Sequence, residues 1–303
     1  MTTLPAPATR DAAVGARALA DAAARRSGVR IEQVRDMATL QVVCDVVDEI
    51  WRPPGGQTTV RIDFLRALTH AGNYCVLARD GARPVGVCFG FLSVEPAREL
   101  HSHIAGVVTA AGGRHVGRAL KLDQRAWALE HGLGTIGWTF DPLIRRNAFF
   151  NAARLGALPT SYLIDFYGVM NDAINTGQAT DRVKVSWPLL GERTMRVAAG
   201  VDPGRPTSEL LAAGAGVLLG VAGDAPVIHE TDAPVRLVRV PADIEALRAA
   251  DPGLGIAWRL AVRETLGALL DAGWVVTDFR RDGHYVLEPR ATATDPSPEA
   301  GAP

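Results

Sequence analysis

Residues 101–132, HSHIAGVVTAAGGRHVGRALKLDQRAWALEHG, pass from an apolar run through a glycine-rich, basic turn directly into a helical pattern. Leu100–Thr109 reads as a strand. Ala119, Leu122, Ala126 and Leu129 recur at spacings of three and four, which predicts an amphipathic helix over Gly117–His131, stopped by Gly132. Thr135–Phe140 is the next strand. Such a strand–helix–strand unit must pair in parallel or skip a neighbour. Upstream, Tyr74–Ala78 and Val85–Ser93 flank Asp80-Gly81, a hairpin turn. An antiparallel meander followed by a crossover predicts a mixed sheet with helices on its faces, an α/β (mixed α+β) fold.

The other elements follow from the same patterns. Leu40, Val43, Val47 and Ile50 make Asp36–Trp51 a helix, ended by Pro53 and Pro54. Phe64–Thr69 is a short second helix. Asn147–Arg154 is a helix closed by Gly156, and Ser161–Gly168 a strand. A second region starts near Val183, with the apolar runs GVLLGVA and VRLVRVP, a helix over Ile256–Ala272 and a final hairpin turning at Asp282-Gly283. The expected organisation is a flexible or loosely helical N-terminal arm (1–28), a catalytic domain (29–182), a C-terminal α+β module (183–290) and a disordered Pro/Ala/Thr-rich tail (291–303).

The 303-residue chain carries a net charge of −1, with no basic stripe, so nucleic acid is not an expected partner. No apolar stretch approaches the roughly 20 residues of a membrane span, and the N-terminus lacks the apolar core of a secretory signal. Cys44, Cys75 and Cys88 are isolated and read as reduced, buried thiols of a cytoplasmic protein. No HxxxH, CxxC or carboxylate cluster suggests a metal.

The glycine-rich turn poses the chemical question. A helix N-terminus presents unsatisfied N–H groups and the positive end of a dipole, and glycines before it let those amides converge on an anion. Arg114 and Arg118 add charge. The bland alternative is a plain strand-to-helix turn. A P-loop, GxxxxGK[ST], is absent, and so is the GxGxxG of a dinucleotide fold.

The order of elements and this turn resemble the GNAT superfamily of acyl-CoA-dependent N-acyltransferases, whose pyrophosphate loop is [QR]xxGx[GA]. Arg114–Ala119 fits that pattern literally. In the preferred register GRALKL opens the helix, Gly117 is the last loop position, Gly112 replaces the first Arg/Gln and His115 replaces the middle glycine. WTFDPLIRRNAFFNAARLGA resembles the family's fifth strand and fourth helix. SHxxGV, GRALK, RNAxFN and RLGA, together with the far segment AWRLAVRETLGALLDAGWVVTDFRRDGHYVL, are similar to a branch that carries a C-terminal extension. The resemblance covers Val29–Pro289.

It implies that strands four and five splay apart, and that the pantetheine arm of acetyl-CoA, or another acyl-CoA, bonds to the backbone around Gly106–Val108, including Val107 and Val108. Gly112, Gly113, Arg114, His115, Val116, Gly117, Arg118 and Ala119 would surround the diphosphate, and Asn147 would contact the cofactor or cap its helix. By period two, His101, His103, Ala105 and Val107 share one face. His103, with an unperturbed pKa of about 6.5, is the expected general base. Asp141 is a candidate for orienting the amine, or a turn residue. The family's acid, a helix-four tyrosine, would fall at Ala152, so Tyr162 and Tyr167 are the candidate replacements. Lys121 reads as solvated. Arg259 and Arg263, one turn apart, could clamp a carboxylate or pair with neighbouring acids.

The expected function is acetyl transfer from acetyl-CoA to a small-molecule amine, with a homodimer as the candidate assembly. The alternatives are an N-succinyl or other acyl transferase and a non-catalytic acyl-CoA-binding protein.

Overall fold

The structure, a computed structural model, describes residues 7–94, 98–168, 179–201 and 204–290; the expected tail at 291–303 lies outside them. The chain opens with α1 (Pro7–Arg26) and β1 (Arg30–Gln33), then α2 (Met37–Trp51), α3 (Ile62–His70), β2 (Cys75–Asp80) and β3 (Arg83–Ser93). Next come β4 (Glu99–Val107), α4 (Val116–Glu130) and β5 (Thr135–Phe140). A short α5 (Arg145–Phe149) widens into a π-turn over Phe150–Leu155 and leads to β6 (Leu158–Leu163) and β7 (Arg182–Pro188).

These seven strands form one sheet, ordered β1-β2-β3-β4-β5-β7-β6. The β4–β5 pair is parallel and the other neighbours are antiparallel. Two strands were not expected. β1 is too short to show a period. β7 inserts between β5 and β6, and because it begins at Arg182 the first sheet runs past the expected boundary at 182.

Within the expected N-terminal arm, Pro7–Arg26 is a helix docked on α4 rather than a loose segment. Ala13, Ala16, Ala20 and Ala23 form a buried stripe on α1, and such small side chains let it lie close against α4. Arg17 in α1 reaches Glu130 of α4 at 2.9 Å and also pairs with Asp123. α2 begins where Asp36 accepts the Thr39 amide at 2.9 Å, a helix N-cap.

The C-terminal module holds α6 (Glu192–Ala198), α7 (Thr207–Ala212), β8 (Gly216–Ala222), β9 (Ala225–Ile228), β10 (Arg236–Arg239) and α8 (Ile244–Ala250). The predicted helix at 256–272 is α9 (Pro252–Val262), a π-turn over Arg263–Gly267 and α10 (Ala268–Asp271), and the hairpin β11 (Trp274–Phe279) and β12 (His284–Pro289) ends the module. Its sheet runs β11-β12-β10-β8-β9. Trp258, Val262, Leu266, Phe279 and Tyr285 join the same buried cluster as the first sheet's Trp187 and Val185, so the module is fused to the core. The three cysteines are free and buried.

Candidate active site

The cleft originates in a single extra residue. Gly90 of β3 stands opposite Ser102, and Phe89 opposite Ile104, which leaves His103 without a partner: a β-bulge. Before the bulge, β4 pairs with β5 at Leu100–Ile136 and His101–Gly137. Beyond it β4 has no pairing with β5, while β5 stays bound to β7 as far as Phe140. The two strands part as a wedge. Between Ser102 and Val107 the β4 edge facing β5 offers main-chain groups to an extended ligand, in the manner of strand addition.

The bulge also corrects the expected face. Ser102 Oγ accepts a hydrogen bond from Lys121 Nζ of α4 at 3.0 Å, so Ser102 faces α4. His101 and His103 point the other way, with ring centroids 5.9 Å apart and with Phe91 at 4.9 and 5.7 Å respectively. After the bulge the alternation inverts. A Cβ built on Gly117 of α4 would lie 3.7 Å from Val107, whereas one on Gly106 would strike Trp51 of α2 at 2.6 Å. Val107 therefore lines the α4 side and His103 the opposite side.

The face that carries His103 gathers further polar groups. A Cβ on Gly137 would meet the Glu99 carboxylate at 2.6 Å, which sets Glu99 beside β5. Lys184 of β7 lies 3.6 Å from Glu99. The exposed Tyr167 places its hydroxyl 3.3 Å from Thr139 of β5, and the Arg182 guanidinium stands 5.3 Å from its ring centre. Desolvation against Phe89 and Phe91 holds the exposed His103 below the ordinary histidine range. His101 falls to about 4, through burial first and then repulsion from His103, Lys184 and Lys121. Both rings are neutral at pH 7, the state a proton acceptor needs. His103 on β4 and Tyr167 over β5 thus flank the wedge.

Other expected residues are engaged elsewhere. Tyr162 is buried and donates to Asp181 at 2.8 Å, so its hydroxyl faces no cleft. Asp141 is 8% exposed and accepts two bonds from Arg259 and one from Arg248; these cations outweigh its burial and hold it at about 2. Arg263 binds Asp181 at 2.8 and 2.9 Å. The two arginines that could have clamped a substrate carboxylate hold the chain's own instead. Lys121, read as solvated, is 4% exposed, 3.9 Å from the centre of a Trp138 ring and 2.6 Å from Gln124 Oε1.

The turn before α4 has the conformation its sequence suggests. Gly113 (φ +77°) and His115 (φ +63°) are left-handed, which glycine adopts freely and histidine at a cost. His115 thus occupies the position where the resemblance places a glycine. The Val116 and Gly117 amides have no acceptor among the described residues. Val116 and Ala119 are buried and anchor the helix, whereas Gly112 and Gly113 are exposed. Arg114 is turned back, to Asp80 at 2.6 Å and the Ser27 carbonyl at 3.2 Å. Val108 is buried, and its amide donates to Val85 at 3.0 Å. Asn147 is exposed on α5.

Beside this turn opens a cavity of about 690 Å³, within the range of small-molecule sites, lined by His115 and by the arginines Arg26, Arg118, Arg154, Arg280 and Arg281. Among the described residues no carboxylate lines it. Arg118 reaches the last carbonyls of α6 at 3.4 and 3.5 Å. Its pKa is lowered by burial and then by Arg26 and Arg154. Of these residues only His115 and Arg118 are expected at an anion site from the sequence. Arg154 lies in the RLGA motif, and Arg280 and Arg281 in the final hairpin, with no role expected of them there.

Among the described residues there is no cluster of His, Cys, Asp or Glu suited to a metal, and no helix long and apolar enough to cross a membrane. No family model and no curated protein matches the chain. Solved structures align with about half of it. An acetyltransferase of the GNAT family from Streptococcus pneumoniae is 10% identical, with 52% of this chain and 98% of that one covered and a TM-score of 0.43. The structure of yncA from Salmonella typhimurium with its cofactor acetyl-CoA is 17% identical (54% and 94% covered, TM-score 0.43). The ribosomal-protein-S18-alanine N-acetyltransferase from Escherichia coli is 10% identical (53% and 94% covered, TM-score 0.42). The chain's first sheet is thus a mixed, GNAT-like sheet, opened by the wedge between β4 and β5 and carrying the glycine-rich turn at the head of α4, and a smaller C-terminal sheet module is joined to it.

Proposed function

We propose that the chain is an acyl-CoA-dependent N-acyltransferase that transfers an acetyl group to the amine of a small molecule. The observation that carries this reading is the presence, in one sheet, of the β4–β5 wedge and of a glycine-rich turn at the head of α4 that opens on an arginine-lined cavity. An anion at the head of α4 and an extended arm along the open edge of β4 together describe a nucleotide joined to a linear thioester.

In this reading the Val116 and Gly117 amides and Arg118 hold the diphosphate. The pantetheine arm lies along β4 toward Val107 and places the thioester near the bulge. Neutral His103, directly or through one water, takes the proton of the attacking amine. The amine nitrogen bonds to the thioester carbon, the C–S bond breaks, and the sulfur leaves with a proton from Tyr167. Holding both reactants in one wedge supplies much of the rate. Arg259 and Arg263, bound to Asp141 and Asp181, lend no support to a dicarboxylic acyl donor.

Calorimetric titration with CoA, acetyl-CoA and succinyl-CoA, with NAD and ATP as controls, tests the reading. Binding confined to the CoA series, followed by amine-dependent release of free thiol, is the expected result. Binding without thiol release across an amine panel would leave a CoA-binding protein, and no CoA binding would end the proposal.

A further inference from the structure

The arginine-lined cavity carries more positive charge than a diphosphate requires. The turn amides and Arg118 already face the position at the head of α4. Arg26, Arg154 and Arg281 stand on its other walls, and each comes from a different part of the chain. Arg26 ends α1, the helix docked on α4. Arg154 lies in the π-turn after α5. Arg281 sits at the tip of the β11–β12 hairpin, where its carbonyl accepts from Arg145 Nε at 3.0 Å, so the tip is fixed to α5. Arg154 and Arg281 both pack on Phe149, at 5.6 and 5.1 Å from its ring centre. Arg280 pairs with Asp278 at 2.7 Å and is given no role.

Cations brought together in one cavity repel one another. The lowered pKa of Arg118 beside Arg26 and Arg154 has that repulsion among its causes. A further dianion beyond the diphosphate relieves it.

We propose that Arg26, Arg154 and Arg281 form a phosphate subsite that reads the 3′-phosphate of the CoA ribose, so that the chain selects CoA and its thioesters over their 3′-dephospho forms. This inference rests on the acyl-CoA reading and deepens it. It also gives α1 and the C-terminal hairpin, both outside the seven-stranded sheet, a share in cofactor selection.

The test is calorimetric titration of the full chain and of Arg26→Ala and Arg281→Ala with CoA and with 3′-dephospho-CoA, and melting curves confirm folding. A phosphate held by charge-assisted bonds predicts that the unsubstituted chain binds CoA about 10- to 100-fold more tightly than dephospho-CoA. Each variant should lose about tenfold in CoA affinity, keep its dephospho-CoA affinity within about twofold, and so narrow the gap. Raising the ionic strength should narrow it too, since the cavity is open to solvent. Should either variant fail to fold, Arg281→Gln and Arg26→Gln replace it. Equal affinity for the two ligands would overturn the subsite while leaving the acyl-CoA reading intact. A gap that persists in both variants would overturn the assignment of these residues. If neither ligand binds, the acyl-CoA reading fails and the subsite with it.

Discussion

Arg259 of α9 holds Asp141, the residue after β5, through two hydrogen bonds of 2.7 and 2.6 Å. Arg248 adds a third at 3.0 Å, and the buried Tyr285 hydroxyl donates to the Pro142 carbonyl at 2.8 Å. The C-terminal module thus grips the corner where β5 ends, and β5 is one wall of the wedge. Asp141→Asn should cost about 3–5 kcal/mol, because it leaves buried guanidinium groups uncompensated. Asp141 is held at about 2, well below its unfolded value. Its stabilisation is therefore complete above about pH 4 and is lost as pH falls toward 2, a difference on the order of 2 kcal/mol. Denaturant melts from pH 6 to 2 should show this acid limb in the unsubstituted chain and lose it in the variant. An unchanged melting point at pH 7 would show that the clamp is idle.

His103→Ala should lower kcat by about 100- to 1,000-fold, the usual contribution of a positioned base. CoA affinity should stay within about threefold, since the ring lies on the face away from α4. In the unsubstituted chain kcat/KM should decline as pH drops through the His103 pKa, which burial places below 6.5, because only the neutral ring accepts a proton. The variant should show no such decline. Parallel losses of CoA binding and turnover would mean that His103 shapes the wedge rather than the chemistry.

How much of this was legible in the sequence depends on the range of the interactions involved. α2, α4, β5 and the terminal hairpin announce themselves through local period and turn chemistry, and the structure places them within a few residues of expectation. β7 does not, because its place between β5 and β6 is decided by pairing across the sheet. The bulge at His103 is equally silent: one unpaired residue leaves no mark on composition, yet it inverts the faces downstream and so parts His103 from Val107. Asp141 and Arg259 each read as plausible substrate ligands because their partnership spans more than a hundred residues. The cationic cavity was half legible. Its turn was visible, but Arg26, Arg154 and Arg281 meet there only after α1 and the C-terminal hairpin have docked.

The two candidate tyrosines should separate cleanly. Tyr167 is exposed beside Thr139 at the wedge, whereas Tyr162 is buried on Asp181 and against Gly267. Tyr167→Phe should reduce turnover by about tenfold or more, as expected for loss of a proton donor, with the melting point held to within a degree or two. Tyr162→Phe should do the reverse: it should cost about 1–3 kcal/mol, for the buried hydrogen bond to a charged partner, with kcat nearly unchanged in the folded protein. Steady-state kinetics and thermal melts of the two variants together settle the assignment. An active Tyr167→Phe enzyme would move the acid role to another group.

Lys121 offers the most direct test of the interior beneath the wedge. Its ammonium is buried with Ser102 Oγ at 3.0 Å, Gln124 Oε1 at 2.6 Å and the Trp138 ring, and among the described residues no carboxylate forms an ion pair with it. Burial lowers its pKa to about 8 from an ordinary value near 10.5. Below pH 8 the folded and unfolded chains are both protonated here, and the full penalty of the buried charge is present. Between pH 8 and about 10.5 the unfolded chain keeps a proton that the folded chain has released, so stability should rise with pH, by about 3 kcal/mol in all. Lys121→Met fills a similar volume without charge and should abolish that rise. Denaturant unfolding at pH 7, 8, 9 and 10 reads both curves. Stability that is flat from pH 8 to 10 in the unsubstituted chain would mean that the ammonium is solvated in solution, and the packing of α4 against Ser102 and Trp138 would have to be looser than it is here.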